Sequence, residues 1–194
     1  RRAAREAGCH RIEELTLETP LVLPPDGGVR IQVVVGVPNT SGLRPVQLYS
    51  KPETVPGHDT APPWTCHATG LLETEQPPPA ANAEHWPPVD ADPFEVNTLY
   101  RDLGKRGYGY GPAFQGLRAA WRRGEEILAE VDLPEPQRPD AQRFGLHPAL
   151  LDAALHAVTL HVGDHEDGDT RQLRVPFSWT GVATYAEGAT SLRV

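Results

Sequence analysis

Proline and glycine set the first limit on what this chain can become. With 21 Pro and 18 Gly among 194 residues, one position in five either lacks a backbone donor or carries no Cβ. Long helices are broken under that regime, and many short elements joined by tight turns are favoured. The densest stretch is residues 73–93, which holds Pro77-Pro78-Pro79, Pro87-Pro88 and Pro93. It reads as a stiff extended linker, because proline cannot donate to a sheet ladder. The expected division is an N-terminal segment 1–74, a Pro-rich linker 75–93 and a C-terminal segment 94–194.

Residues 1–8 read as the tail of a helix closed by Gly8. Strand signals follow at 11–17 and at Leu21-Val22-Leu23, and the β-branched run 29–37 reads as a buried strand. Turns are expected at Pro24-Pro25-Asp26-Gly27-Gly28 and at Asn39-Thr40-Ser41-Gly42, with further strands at 45–50 and 64–72. In the second segment Asp92-Pro93 reads as a helix cap and first position, ahead of an apolar stripe of Phe94, Val96, Leu99, Tyr100 and Leu103 that stops at Gly104. Residues 117–133 alternate about a Gly124-Glu125 turn and predict a hairpin. Pro148 opens an apolar helix reaching about Val162, with Gly163 as its stop and a polar loop after it. Strand-like pieces at 173–177, 181–185 and 190–194 close the chain. This is an α+β pattern in which each segment needs one sheet curved around one apolar helix. The first segment's helix would begin upstream of Arg1. With Arg1 first and no Met anywhere, the chain reads as part of a longer polypeptide, starting mid-helix and ending mid-strand.

Twenty-six acidic against eighteen basic residues give a formal charge of −8. That balance argues against a phosphate-neutralising nucleic-acid face and against an anionic membrane surface. Cys9 and Cys66 make no disulfide framework and no CxxC pair, so a reducing, cytoplasmic setting is expected. No stretch approaches the ~20 apolar residues that span a bilayer.

Two segments could carry chemistry. In His147-Pro-Ala-Leu-Leu-Asp152-Ala-Ala-Leu-His156, Asp152 and His156 are four apart and share a helical face. Burial among Leu151, Ala153, Ala154 and Leu155 would raise the carboxyl pKa, while the helix N-terminus and a charged His156 would lower it. A carboxyl kept protonated there is suited to general-acid work. From spacing alone, an exposed Asp–His pair is the more ordinary reading. In Gly107-Tyr-Gly-Tyr-Gly-Pro-Ala-Phe-Gln-Gly116, bare backbone N–H groups lie beside phenols, which suits holding a carbonyl or hydroxyl; a tight turn with two surface tyrosines fits equally. It is no phosphate loop, since the Walker Lys-Ser/Thr is absent. His161 and His165 flank Gly163 and read as a solvated loop rather than a zinc pair. Cys66 and His67, adjacent on a strand, should face opposite ways. There is no Gly-x-Ser-x-Gly elbow, which disfavours hydrolase chemistry.

Taken together these residues resemble the dehydratase domain of modular type I polyketide synthases, a double-hotdog fold. GYGYGPAFQG (107–116) is similar to that family's glycine–tyrosine motif, HPALLDAALH (147–156) to its aspartate motif, and VPFSW (175–179) to the short segment after it. CHRIEELTLETPLVLP (9–24) and WTCHATG (64–70) resemble its first hotdog, and the Pro-rich linker falls where the two hotdogs join. The resemblance implies an α+β double hotdog, incomplete at both ends.

It also implies elimination of water from a β-hydroxyacyl thioester carried on the phosphopantetheine arm of an acyl carrier protein, giving an α,β-enoyl chain. By motif match Asp152 is the general acid. Tyr108, Tyr110, Gly111, Pro112, Phe114 and His156 are the implied substrate-binding residues, with Tyr110 and His156 orienting the acid and the β-hydroxyl. Backbone N–H groups around Gly111 would polarise the thioester carbonyl. No metal or redox cofactor is implied. The implied partners are the carrier protein, neighbouring ketosynthase, acyltransferase and ketoreductase domains, and a second copy in a homodimer. The family's base is a His in an HxxxGxxxxP motif, and none of the eight histidines here has Gly four residues on. The base is therefore expected upstream of Arg1. The competing readings are a non-catalytic structural domain of a synthase and a hotdog thioesterase.

Overall fold

The β-branched and alternating stretches form strands, and the long uninterrupted apolar stripe forms the one long helix among the described residues. The computed structural model describes residues 2–53, 62–75, 78, 85–162 and 175–194. The chain divides into two compact units, Arg1–Pro79 with Val175–Thr184, and Ala80–Arg174 with Tyr185–Val194.

The first unit opens on a short helix, α1 (Arg2–Glu6), closed by Gly8 in the left-handed region at φ +71. Four strands follow: β1 (Arg11–Leu17), β2 (Val29–Val35), β3 (Arg44–Pro52) and β4 (Thr65–Glu73). With β8 (Ser178–Ala183) they build one antiparallel sheet in the order β2-β3-β4-β1-β8. The β2–β3 turn is set by Asn39, whose Oδ1 accepts from the N–H groups of Ser41 and Leu43, with Gly42 at φ +80. Two expectations fail here. Leu21-Val22-Leu23 forms no strand, because prolines on both sides remove donors; Val22 is 78% exposed. The run at 29–37 is a strand but not a buried one: β2 lies at the sheet edge with Ile31 55% exposed. β-branched composition reports strand preference, not coverage of the two faces.

The second unit holds β5 (Asp92–Phe94), α2 (Leu99–Lys105), β6 (Leu117–Arg123), β7 (Glu126–Asp132), α3 (Pro148–Val162) and β9 (Ser191–Arg193). Its sheet runs β5-β6-β7-β9, all antiparallel. The hairpin turns at Gly124, φ +56, as the alternation predicts. Along α3, Leu150, Ala153, Ala157 and Leu160 are buried at the spacing of one helical face, with Ala149 and His156 buried beside them. That face packs with Leu117, Ala120, Ala129, Val131 and Leu133 into a continuous core. Each fully buried leucine is worth roughly 1.5–3 kcal/mol. The alanines let the helix sit close over the sheet.

Asp92-Pro93 does not begin a helix. It pairs with Arg122 and Trp121 as edge strand β5, where proline's missing donor costs no ladder bond. The helix starts later, after Thr98, contains Gly104 and stops at Gly107, φ +99. The strand expected at 181–185 begins three residues earlier and ends two earlier, as β8, and it joins the first unit's sheet by pairing with β1. The residues after the linker therefore do not all belong to the second unit. Local pattern marks a strand but not its partner. Much of the linker (76–77, 79–84), together with Gly163, the polar loop after it and residues 173–174, lies outside the described residues. Among the described residues no helix is long and apolar enough to cross a membrane.

Candidate active site

Helix α3 presents Asp152 and His156 one turn apart, as their spacing requires, and the two side chains meet: Nε2 of His156 lies 3.2 Å from Oδ2 of Asp152. His156 is 1% exposed, whereas the Asp152 side chain retains 38%. The pair thus straddles a boundary, imidazole inside and carboxyl at the surface of a cleft. His147 caps the helix, its Nδ1 accepting from the Ala149 N–H, which fixes where the α3 stripe begins.

The glycine–tyrosine segment supplies the opposite wall. Residues 109–114 and Asp152 together line an open cleft of about 410 Å³. Pro112 starts a single 3-10 turn, Pro112–Phe114, in which the Phe114 N–H donates to the Gly111 carbonyl. Gln115 Nε2 donates back to the Tyr110 carbonyl and holds the loop. Tyr110 meets His156 ring to ring, 4.1 Å between centroids. Tyr108 stacks on Tyr110 with 6° between planes and is not among the cleft-lining residues. Of the residues read from the sequence as ligand-contacting, Tyr110, Gly111, Pro112 and Phe114 line the cleft beside Asp152. Tyr108 supports Tyr110 from behind. His156, expected to orient the acid and to bind substrate, is buried and contacts Asp152 and Tyr110.

Sequence reasoning missed Tyr100. It sits in the stripe assigned to packing, yet its hydroxyl lies 3.2 Å from His156 Nδ1 and accepts from the Leu117 N–H at 2.8 Å. The available signal was its type: a phenol among leucines and valines needs a polar partner when buried. Burial pushes both phenols above their ordinary 10.0, with the Leu117 N–H opposing this at Tyr100 and the Asp152 charge adding to it at both. Both are protonated near neutrality. Burial also pulls the His156 imidazole below its usual 6.5 against the opposing pull of Asp152. The site is a neutral, hydrogen-bonded column ending in one carboxyl. Within this unit that carboxyl opens onto the cleft.

In the first unit, Cys66 and His67 do point apart. His67 is buried, with Nε2 2.7 Å from Ser50 Oγ and Nδ1 2.8 Å from the Thr19 carbonyl, while Cys66 Sγ reaches the Ala68 carbonyl. The side chains of His161 and His165 lie outside the described residues. Among the described residues no group of three or more His, Cys, Asp or Glu is placed to hold a metal ion.

The chain matches the family model "Polyketide synthase dehydratase N-terminal domain" over residues 78–194, and a second one, "Polyketide synthase dehydratase domain", over 1–51. The chain belongs to the polyketide synthase dehydratase family. It is 49% identical over 192 residues to a mycoketide-CoA synthase of Mycobacterium tuberculosis, spanning 99% of this chain and 4% of that protein. It is 51% identical over 197 residues to the polyketide synthase GfsA of Streptomyces halstedii, spanning 100% of this chain and 2% of that one. This dehydratase-family chain is thus similar to a small part of very long proteins. Among solved structures, one from a study of dehydratase substrate selection for the borrelidin and fluvirucin polyketide synthases matches with TM-score 0.87 and 43% identity, over 99% of this chain and 65% of that one. The erythromycin dehydratase matches with TM-score 0.83 and 35% identity, over 98% of this chain and 65% of that one. Two antiparallel sheets with a packed helix fit the double hotdog of those relatives, of which this chain spans about two thirds.

Proposed function

We propose that this chain supplies the acid half of a dehydratase site acting on a β-hydroxyacyl thioester. In this reading a base removes a proton from the α-carbon, the electron pair becomes the α,β double bond, and the β-carbon–oxygen bond breaks. Asp152 gives its proton to the departing hydroxide, which leaves as water. The base is a histidine outside this chain, as the family motif implies. Backbone N–H groups around Gly111 polarise the thioester carbonyl, so that charge developing on its oxygen is met by donors. The substrate is an acyl chain on the phosphopantetheine arm of a carrier protein and stays there as product. The domain works beside ketosynthase, acyltransferase and ketoreductase domains, as a homodimer in the cytoplasm, and needs no metal or redox cofactor of its own.

One observation supports this most: a single carboxyl lines the wall of a cleft shared with residues 109–114, and one of its oxygens is held by a neutral, buried imidazole. A lone carboxyl with one fixed oxygen is suited to delivering a proton from the other. The test is Asp152→Asn in the complete synthase, loaded with a 3-hydroxyacyl chain and followed by mass spectrometry of the carrier. Wild type should lose one water with the chain retained, and the variant should not. A variant as active as wild type, or free acid as the product, would overturn the reading.

A further inference from the structure

The column behind Asp152 carries more information than its contacts alone, because each hydrogen in it has to go somewhere. The Leu117 N–H donates to the Tyr100 oxygen. The Tyr100 hydrogen must then find an acceptor, and among the described residues His156 Nδ1, at 3.2 Å, is the one within reach. A phenol that donates to Nδ1 leaves no hydrogen there, so a neutral imidazole carries its hydrogen on Nε2. Nε2–H then donates to Asp152 Oδ2. An oxygen already accepting an N–H is the poorer place for the acid's own proton, which goes to the other oxygen. The opposite tautomer would turn a bare Nε2 lone pair toward the carboxyl and draw the proton onto Oδ2, away from any substrate.

We propose that Tyr100 is a positioning residue that fixes the Nε2–H tautomer of His156 and so keeps the Asp152 proton on Oδ1, the oxygen that His156 leaves unbonded. The claim rests on Asp152 being the proton donor proposed above. Burial of His156 supports it, since a neutral ring is the only form with a tautomer to choose. The titratable and charged groups facing this column are Tyr100 from α2, Tyr108 and Tyr110 from the loop, Arg118 from β6 and Asp152 itself. None of them offers His156 Nδ1 a hydrogen bond except Tyr100 among the described residues.

The experiment is Tyr100→Phe in the complete synthase, assayed across pH, alone and combined with His156→Gln. A glutamine amide always carries N–H groups and has no tautomer to lose. Tyr100→Phe alone should lower kcat roughly tenfold or more with KM little changed, since the proton is delivered only in the transition state. The alkaline limb of kcat should move to higher pH, because a bare Nε2 favours the protonated carboxyl. In the His156→Gln background the same substitution should change kcat by less than about threefold. A kcat within about twofold of wild type overturns the proposal, as does an unmoved alkaline limb with the same loss in both backgrounds. Failure of Tyr100→Phe to fold in both backgrounds also overturns it, because the hydroxyl would then serve the fold itself. Asp152→Asn separates the two claims. If it is active, the function proposed above falls; if it is inactive while Tyr100→Phe is fully active, only the role of Tyr100 falls.

Discussion

Gly116 is the hinge between the cleft-lining loop and the sheet, and a methyl group there tests how tightly the loop is seated. Its backbone is buried, and its carbonyl accepts the Asp132 N–H at 2.8 Å. A Cβ at this position would stand 2.5 Å from the Asp132 carbonyl oxygen and 2.9 Å from the Ala153 Cβ. Neither neighbour is the end of a flexible side chain: one is strand backbone, the other is on the buried face of α3, one residue from Asp152. Gly116→Ala must therefore push β6 from β7 or the loop from the helix. Overpacking of this kind costs about 1–3 kcal/mol, and two rigid contacts place it toward the upper part of that range. For a domain of this size each kcal/mol lowers the melting temperature by ~2–4 °C, so a fall of roughly 5–10 °C is expected by circular dichroism. Dehydration should fall further than stability, since displacement of a positioned group by about 1 Å can cost ~10²-fold in rate. Adding Ala153→Gly removes one contact, leaves the backbone contact and costs ~1 kcal/mol of helix preference, so it should not restore the loss. A Gly116→Ala domain melting within about a degree of wild type would refute the close seating of loop, strand and helix.

Two further outcomes follow from the buried histidines. Because His156 is held below its ordinary 6.5, the unfolded chain binds the extra proton between its native value and 6.5; stability should fall as pH is lowered through that window, and His156→Gln should flatten the slope in urea unfolding. An equal slope in the variant would refute the burial argument. Ser50→Ala leaves the buried His67 Nε2 without its hydroxyl partner and should cost about 1–3 kcal/mol by the same measurement, whereas no change would mean that the Ser50–His67 contact contributes nothing.

What was legible in the sequence was local. The α3 helix from Pro148 to Val162 and the 117–133 hairpin announce themselves through spacing, a proline at the first position and a glycine at the turn. The Asp152–His156 pair follows from helical geometry, and the motifs led to the family. What was not legible depended on residues far away in sequence. Asp92-Pro93 has the chemistry of a helix start, but Arg122 and Trp121 offer it a strand edge, and the tertiary choice wins. Tyr100 looked like packing because its partners, Leu117 and His156, come from a different strand and a different helix. β2 has the composition of a buried strand, and only the sheet order reveals that it is an edge. The exposure of Asp152 likewise depends on what the loop at 109–114 covers, which no count of neighbouring alanines conveys.

The pairing of β8 with β1 has a consequence for how the molecule is made. A ribosome releases the first strands of that sheet roughly 160 residues before the strand that closes along β1. Meanwhile the Arg11–Leu17 ladder waits with one flank unpaired, and the hairpin and α3 of the other unit can assemble from near neighbours. No single cut of the chain between these two bodies yields both intact: a break anywhere from the linker to Arg174 strands the closing ribbon on the wrong fragment. Co-expressed halves should therefore need to find one another before the amino-terminal half is whole.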